Sequence, residues 1–167
     1  VVVTLSGEAD RLPPDAADAL SQAQAAGVTI ATESPVTFDF AIDALLGIGT
    51  LRPPEDRLAA HMGLLHGSTA PALCVDVPSG LHADTGVHLM GPLTRRPLGA
   101  RHTLSLLTLK PGLFTGDGRD QAGQVWFDNL GISPPADMPV SALLNGMAMD
   151  TVPASGRAHA AHKGSQG

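Results

Sequence analysis

Residues 38–80 read FDFAIDALLGIGTLRPPEDRLAAHMGLLHGSTAPALCVDVPSG, and this stretch decides the fold. Phe38 to Leu46 is a short, mostly apolar run that stops at Gly47-Ile48-Gly49. Pro53-Pro54 and Glu55 open a helix, because the fixed φ of proline suits a first helical turn. Leu58, Met62 and Leu65 fall at i, i+4 and i+7, one apolar stripe of a helix that Gly67 closes. Ala72 to Val77 is a second apolar run, stopped by Pro78-Ser79-Gly80. Strand, amphipathic helix, strand is the unit of a parallel sheet, since two strands running the same way need a crossover between them.

The pattern extends in both directions. Val1–Leu5 is β-branched and apolar and reads as a buried strand ended by Ser6-Gly7. Pro13-Pro14 and Asp15 start a helix whose Ala16, Leu20 and Ala23 recur near helical spacing, with Gly27 at its C′ position. Val28–Ala31 is a short strand. Thr103–Leu109 is another, ending at Lys110-Pro111-Gly112, and Gln124–Phe127 is the last. No repeat of fixed period is present. The expected class is α/β, with a mostly parallel sheet covered on both faces.

Composition narrows the possibilities. At 167 residues the chain is one domain of ordinary size, and 43% apolar residues suffice for a core. A net charge of −6, no tyrosine and one tryptophan argue against nucleic acid as a partner. No apolar run reaches the roughly 18–20 residues of a membrane span. Cys74 is the single cysteine, so no internal disulfide forms and a reducing, cytoplasmic setting fits. The chain opens inside an apolar run with no secretory signal, and Ala154–Gly167 is small, polar and linker-like. Both ends therefore read as cut from a longer protein. Residues 1–150 are taken as one partial domain and 151–167 as a linker. An incomplete sheet is expected to show an apolar edge and to be poorly soluble alone.

Parallel sheets bind ligands beyond the carboxyl ends of their strands, and three places there carry unusual chemistry. Asp43 interrupts an apolar run. A desolvated carboxylate needs a cation, a donor or a ligand, although backbone amides at a strand end would also serve. The Gly-Ile-Gly that follows allows close backbone approach, but it lacks the third glycine of the dinucleotide fingerprint. Asp76 ends another strand. Pro78 forces an extended Val77 and Gly80 permits a turn, so Ser79 is expected to point back toward Asp76. An Asx-type turn is the structural alternative. Val-Pro-Ser-Gly is not a serine-hydrolase elbow. Lys110, one of two lysines, ends a third strand and suits a carboxylate, a phosphate or plain solvent.

The other ionisable groups say less. His159 and His162 lie in the tail without a third ligand. His61 and His66 flank a surface helix stripe, and His82 and His88 sit in a loop. Cys74 reads as a small core residue, and Trp126 as core or sheet-end packing.

Three stretches in order, DALLGIGTLRP at 43–53, CVDVPSGLHADTG at 74–86 and TLKPGLFTGDGRDQAGQV at 108–125, resemble the NAD(P)H-hydrate epimerase family, the YjeF N-terminal domain. The resemblance runs from about Val1 to Ile132. The tail HKGSQG resembles the entrance to an ADP-dependent NAD(P)H-hydrate dehydratase domain, which implies a bifunctional parent with lyase activity. The resemblance implies a Rossmann-like three-layer α/β/α sandwich lacking its N-terminal part. It implies interconversion of the R and S forms of hydrated NADH or NADPH, with a bound potassium ion. On matching positions, Asp43 and Ser79 resemble potassium ligands. Gly47, Ile48, Gly49, Thr50, Leu51, Arg52 and Pro53 resemble the substrate-binding loop, and Asp76 a substrate contact and acid–base group. Asp76 and Lys110 are taken as the catalytic pair, with Arg52 or Lys110 able to meet a substrate phosphate. Two features depart from the family: its Asn-Asn-Gly-Gly-Asp loop is missing, and Ile48 stands where threonine is usual. A homo-oligomer is compatible with this reading. The competing reading is a non-catalytic binding or assembly module on the same fold.

Overall fold

A computed structural model describes residues 1–91 and 97–133. In chain order its elements are β1 (Val2–Thr4), α1 (Pro14–Ala25), β2 (Thr29–Ala31), β3 (Ala41–Asp43), α2 (Asp56–Gly67), β4 (Ala72–Val75), β5 (Arg101–Leu106), α3 (Gly118–Gln121) and β6 (Gln124–Asp128). Every strand pair is parallel. β1 pairs β2, and β3-β4-β5-β6 form a four-stranded sheet in sequence order. The α/β class read from the sequence is therefore the observed one.

Local chemistry explains the boundaries. Gly27 sits at C′ of α1 with φ +77°, and its N–H donates to Gln24 O while Val28 N–H donates to Ala23 O, each at 3.0 Å. This paired closure needs a left-handed residue, which glycine adopts without a Cβ penalty. β4 stops at Val75 rather than Val77 because Asp76 turns to φ +70°. β5 runs Arg101–Leu106 rather than Thr103–Leu109, because Leu107 turns to φ +63°. The Phe38–Leu46 run gives only Ala41–Asp43, since the Leu45 and Leu46 amides turn off to bond side chains of Asp43 and Ser79.

Register sorts the four-stranded sheet into two faces. Asp43, Ala72, Cys74, Thr103 and Ser105 point to one side and are all buried. A cavity of about 300 Å³ lies between that face and Met62 and Leu65 of α2, so α2 covers it loosely. The opposite face carries Ile42, Leu73, Val75, Leu104 and Trp126 in cross-strand rows. It stays partly open to water, with Ile42 62% and Trp126 52% exposed. Trp126 is thus not core; among the described residues its indole N–H reaches His102 Nδ1, at 3.5 Å.

The tightest packing lies under the loops after β4 and β5. Val77, Leu81, Ala83, Leu113 and Ala122 form one buried cluster, with Val125 packed against it. Each fully buried Leu there contributes about 1.5–3 kcal/mol of hydrophobic stabilisation. Val1–Leu5, by contrast, is not buried. β1 is bonded on one side only, and no residue of α1 is buried. His61 also departs from the surface position expected of it: it is buried, and its Nδ1 lies 2.8 Å from Ser6 Oγ. The HKG tail, His159, His162 and the 150/151 boundary lie outside the described residues.

Candidate active site

Two polar knots sit at the carboxyl ends of β3, β4 and β5. The first joins Asp43 to Ser79. Ser79 N–H donates to Asp43 Oδ2 at 2.9 Å, and its hydroxyl donates to Oδ1 at 2.5 Å. Leu46 N–H donates to Ser79 Oγ at 3.0 Å, and Leu46 O lies 3.4 Å from that oxygen. Asp43, 7% exposed, is thus satisfied chiefly by one residue 36 positions away. Ser79 faces Asp43 and not Asp76, contrary to the expected turn. With β4 ending at Asp76, the Pro78-Ser79 segment reaches across to the end of the neighbouring strand.

The second knot joins Asp76 to Lys110. Asp76 N–H still donates to Leu104 O at 2.8 Å, so the residue is anchored to β5 even though its φ is left-handed. Its Oδ1 accepts the Leu106 N–H at 3.0 Å and forms an ion pair with Lys110 Nζ. Lys110 Nζ also donates to Leu106 O at 2.5 Å. Lys110 is buried at 8% exposure, so it serves Asp76 and is not a free phosphate receptor. All these bonds fall on Oδ1. Among the described residues no hydrogen bond falls on Asp76 Oδ2, and the side chain is 20% exposed.

The remaining expected site residues stand apart. Gly47, Ile48, Gly49, Leu51, Arg52 and Pro53 are exposed and Thr50 is half-buried. The Thr50 N–H and hydroxyl both bond Gly47 O, at 3.3 and 3.0 Å, so the segment is a self-closed turn. No bond among the described residues ties it to Asp76. Asp43 and Ser79 line one end of the cavity beneath α2, whereas Asp76 and Lys110 do not line it. Deeper in that cavity, burial and then the Asp43 charge push the Cys74 thiol up to about 12, so it is no nucleophile at neutral pH. Arg101, also in the cavity lining, donates to Leu65 O of α2.

The donor chemistry is all oxygen. Asp43, Ser79 and the Leu46 carbonyl suit a hard cation rather than a soft one. Among the described residues there is no cluster of three or more His, Cys, Asp or Glu groups that could hold a metal ion by side chains alone.

Sequence reasoning missed the main chain of Leu46 and Leu106, because any residue type supplies an amide and a carbonyl. It also missed Asp117, whose Oδ2 accepts the His88 N–H at 3.0 Å. The signal for it was present, an acid between two glycines at 116–118.

The site is thus an Asp–Lys pair and an Asp–Ser pair at the strand ends of a parallel α/β sheet. The family model described as YjeF-related protein N-terminus matches residues 1–112, and the chain belongs to that family. Among relatives, a bifunctional NAD(P)H-hydrate repair enzyme of Leishmania major is 36% identical over 170 residues, covering 93% of this chain and 29% of the relative. The bifunctional NAD(P)H-hydrate repair enzyme Nnr of Escherichia coli K12 is 37% identical over 135 residues, covering 78% of this chain and 25% of the relative. An NAD(P)H-hydrate epimerase of Achromobacter xylosoxidans is 40% identical over 135 residues, covering 79% of this chain and 62% of the relative. The chain thus spans a quarter to three tenths of the two bifunctional relatives. No helix among the described residues is long and apolar enough to cross a membrane.

Proposed function

We propose that these residues carry out epimerisation of hydrated NADH and NADPH, within a longer cytoplasmic protein that also bears the dehydratase. The observation that carries the reading is the one-sided bonding of Asp76: Oδ1 is occupied by Leu106 and Lys110, and Oδ2 takes no bond among the described residues. Relatives bearing the epimerase and repair-enzyme names align across most of this chain.

The chemistry needs proton transfer and charge stabilisation, with no redox step. The hydrate carries a hydroxyl on a ring carbon next to nitrogen. The nitrogen lone pair expels that hydroxyl as water once its oxygen is protonated, leaving an iminium-like ring. Water then adds to either face and loses a proton. One carboxyl group, once protonated from solvent, can deliver the first proton, and the carboxylate left behind takes a proton from the added water. Asp76 Oδ2 has that role. Its negative charge also stabilises the cationic ring, while Lys110 holds Oδ1 in a fixed orientation. The Gly47–Pro53 turn is exposed, and its Arg52 would meet a nucleotide phosphate.

The Asp43–Ser79 knot fits a potassium ion by the chemistry of its donors. Asp43, Ser79 Oγ and the Leu46 carbonyl would hold it. When bound, the ion would offset local negative charge and stiffen the strand ends.

The test is an assay of both hydrate forms on the complete protein, with and without potassium. Wild type is expected to equilibrate the R and S forms. Asp76→Asn is expected to abolish this while leaving the circular dichroism spectrum unchanged. Full activity in Asp76→Asn would overturn the proposal.

A further inference from the structure

The loops that follow β4 and β5 are locked together just beside the Asp76–Lys110 pair. Gly112 N–H donates to Ala83 O at 2.6 Å. Gly86 O accepts two amides, Asp117 N–H at 2.8 Å and Gly118 N–H at 3.2 Å. Thr115 Oγ1 lies 3.1 Å from both Thr85 O and Pro111 O. Asp117 Oδ2 takes the His88 N–H at 3.0 Å. The backbones approach so closely that no side chain fits between them. A Cβ on Gly112 would collide with the His82 and Ala83 carbonyl oxygens, and one on Gly86 or Gly118 with the facing loop or turn.

The interlock begins immediately after Lys110. Pro111–Leu113 is a single 3-10 turn whose Leu113 N–H bonds Lys110 O at 3.1 Å. Lys110 itself needs restraint from outside. It is a flexible four-carbon side chain on a segment that has just left β5 through a left-handed Leu107. Its ammonium must be placed on both Leu106 O and Asp76 Oδ1. The same interlock grips 82–88, the loop that continues from the Asp76–Gly80 turn. It therefore fixes both partners of the ion pair relative to each other.

We infer that Gly112, Thr115 and Asp117 are positioning residues: through the interlock of 82–88 with 110–118 they hold the Lys110 ammonium on Asp76 Oδ1. None of them bonds Asp76 or Lys110 Nζ. Their catalytic consequence rests on the proposed role of Asp76, but their positioning of Lys110 does not.

The experiment has two independent arms, both on the complete protein. The first follows the ζ-ammonium resonance of Lys110 in 1H–15N spectra, assigned by its loss in Lys110→Arg. A buried, doubly bonded ammonium exchanges slowly and gives a visible signal. Gly112→Ala, Thr115→Val and Asp117→Ala are expected to broaden or abolish it. Asp117→Asn keeps an oxygen acceptor and is expected to restore it, and Arg119→Ala, an exposed neighbour, to leave it unchanged. The second arm measures kcat and KM. The same three variants are expected to lose about 10- to 100-fold in kcat at unchanged KM, the scale of a small misplacement at a reacting centre. A persistent Lys110 resonance in folded Thr115→Val and Asp117→Ala overturns the inference, even if Gly112→Ala fails to fold. A wild type that shows the resonance but equilibrates no hydrate overturns the proposed function and leaves the positioning role standing.

Discussion

Ser79 gives both of its donors to Asp43, the backbone amide at 2.9 Å to one carboxylate oxygen and the hydroxyl at 2.5 Å to the other. This pairing, rather than a ladder of amides, closes the end of β3 onto the turn after β4. It accounts for how a carboxylate at an edge strand stays buried.

Removing the hydroxyl should therefore cost stability. Ser79→Ala leaves Leu46 N–H without its acceptor and Asp43 Oδ1 without its strongest donor. A loss of about 1–3 kcal/mol is expected, the range for leaving a buried polar group unmade. Urea denaturation reads it as a lower midpoint at constant slope.

Lys110→Met should do more damage than Asp76→Asn. It strands a mostly buried carboxylate without its cation, and breaking such a pair from one side costs about 3–5 kcal/mol. Asp76→Asn keeps an acceptor for Leu106 N–H and for the ammonium. A double-mutant cycle on the two positions is expected to show coupling, with Lys110→Met/Asp76→Asn more stable than Lys110→Met alone. Additive effects would mean that the two side chains act separately.

Acid should loosen the loop at His88. Burial lowers the His88 pKa from its ordinary 6.5, partly opposed by the Asp117 charge. The unfolded chain then binds a proton at a higher pH than the folded one. Stability from this residue is present above pH 6.5 and is lost as pH falls from there through the folded value. Protonation also removes the acceptor that His88 Nδ1 offers Met90 N–H at 3.3 Å. Thermal melts between pH 8 and 5 are expected to fall more steeply for wild type than for His88→Gln. Parallel curves would rule His88 out.

Trp126 offers a check on the open sheet face. It is the single tryptophan, half-exposed, with its N–H on His102. Its fluorescence should be red-shifted and readily quenched by acrylamide. Blue-shifted, protected emission would mean that this face is covered in solution.

Much of the architecture was legible from the chain. Gly27 punctuates it where expected, because it acts through its own left-handed φ. Burial was less legible. Val1–Leu5 and Trp126 have apolar compositions suited to a core, yet burial depends on what lies across from a residue, which periodicity does not encode. The candidate residues Asp43, Ser79, Asp76 and Lys110 were singled out because they end or follow apolar runs. Their pairing was not: Asp76 and Ser79, three apart in sequence, choose different partners because the backbone reverses handedness at Asp76.

The left-handed backbone at Asp76 also limits how this site can evolve. Asparagine and glycine tolerate that conformation best, yet the former lacks a transferable proton at neutral pH and the latter has no side chain. Aspartate is the acid that combines the tolerated torsion with a titratable oxygen. Lengthening it to glutamate would move the oxygens by a methylene and place a less tolerant residue at the bend. On the role proposed for Asp76, drift at this position would lead to a silent descendant of the same shape more readily than to a new chemistry.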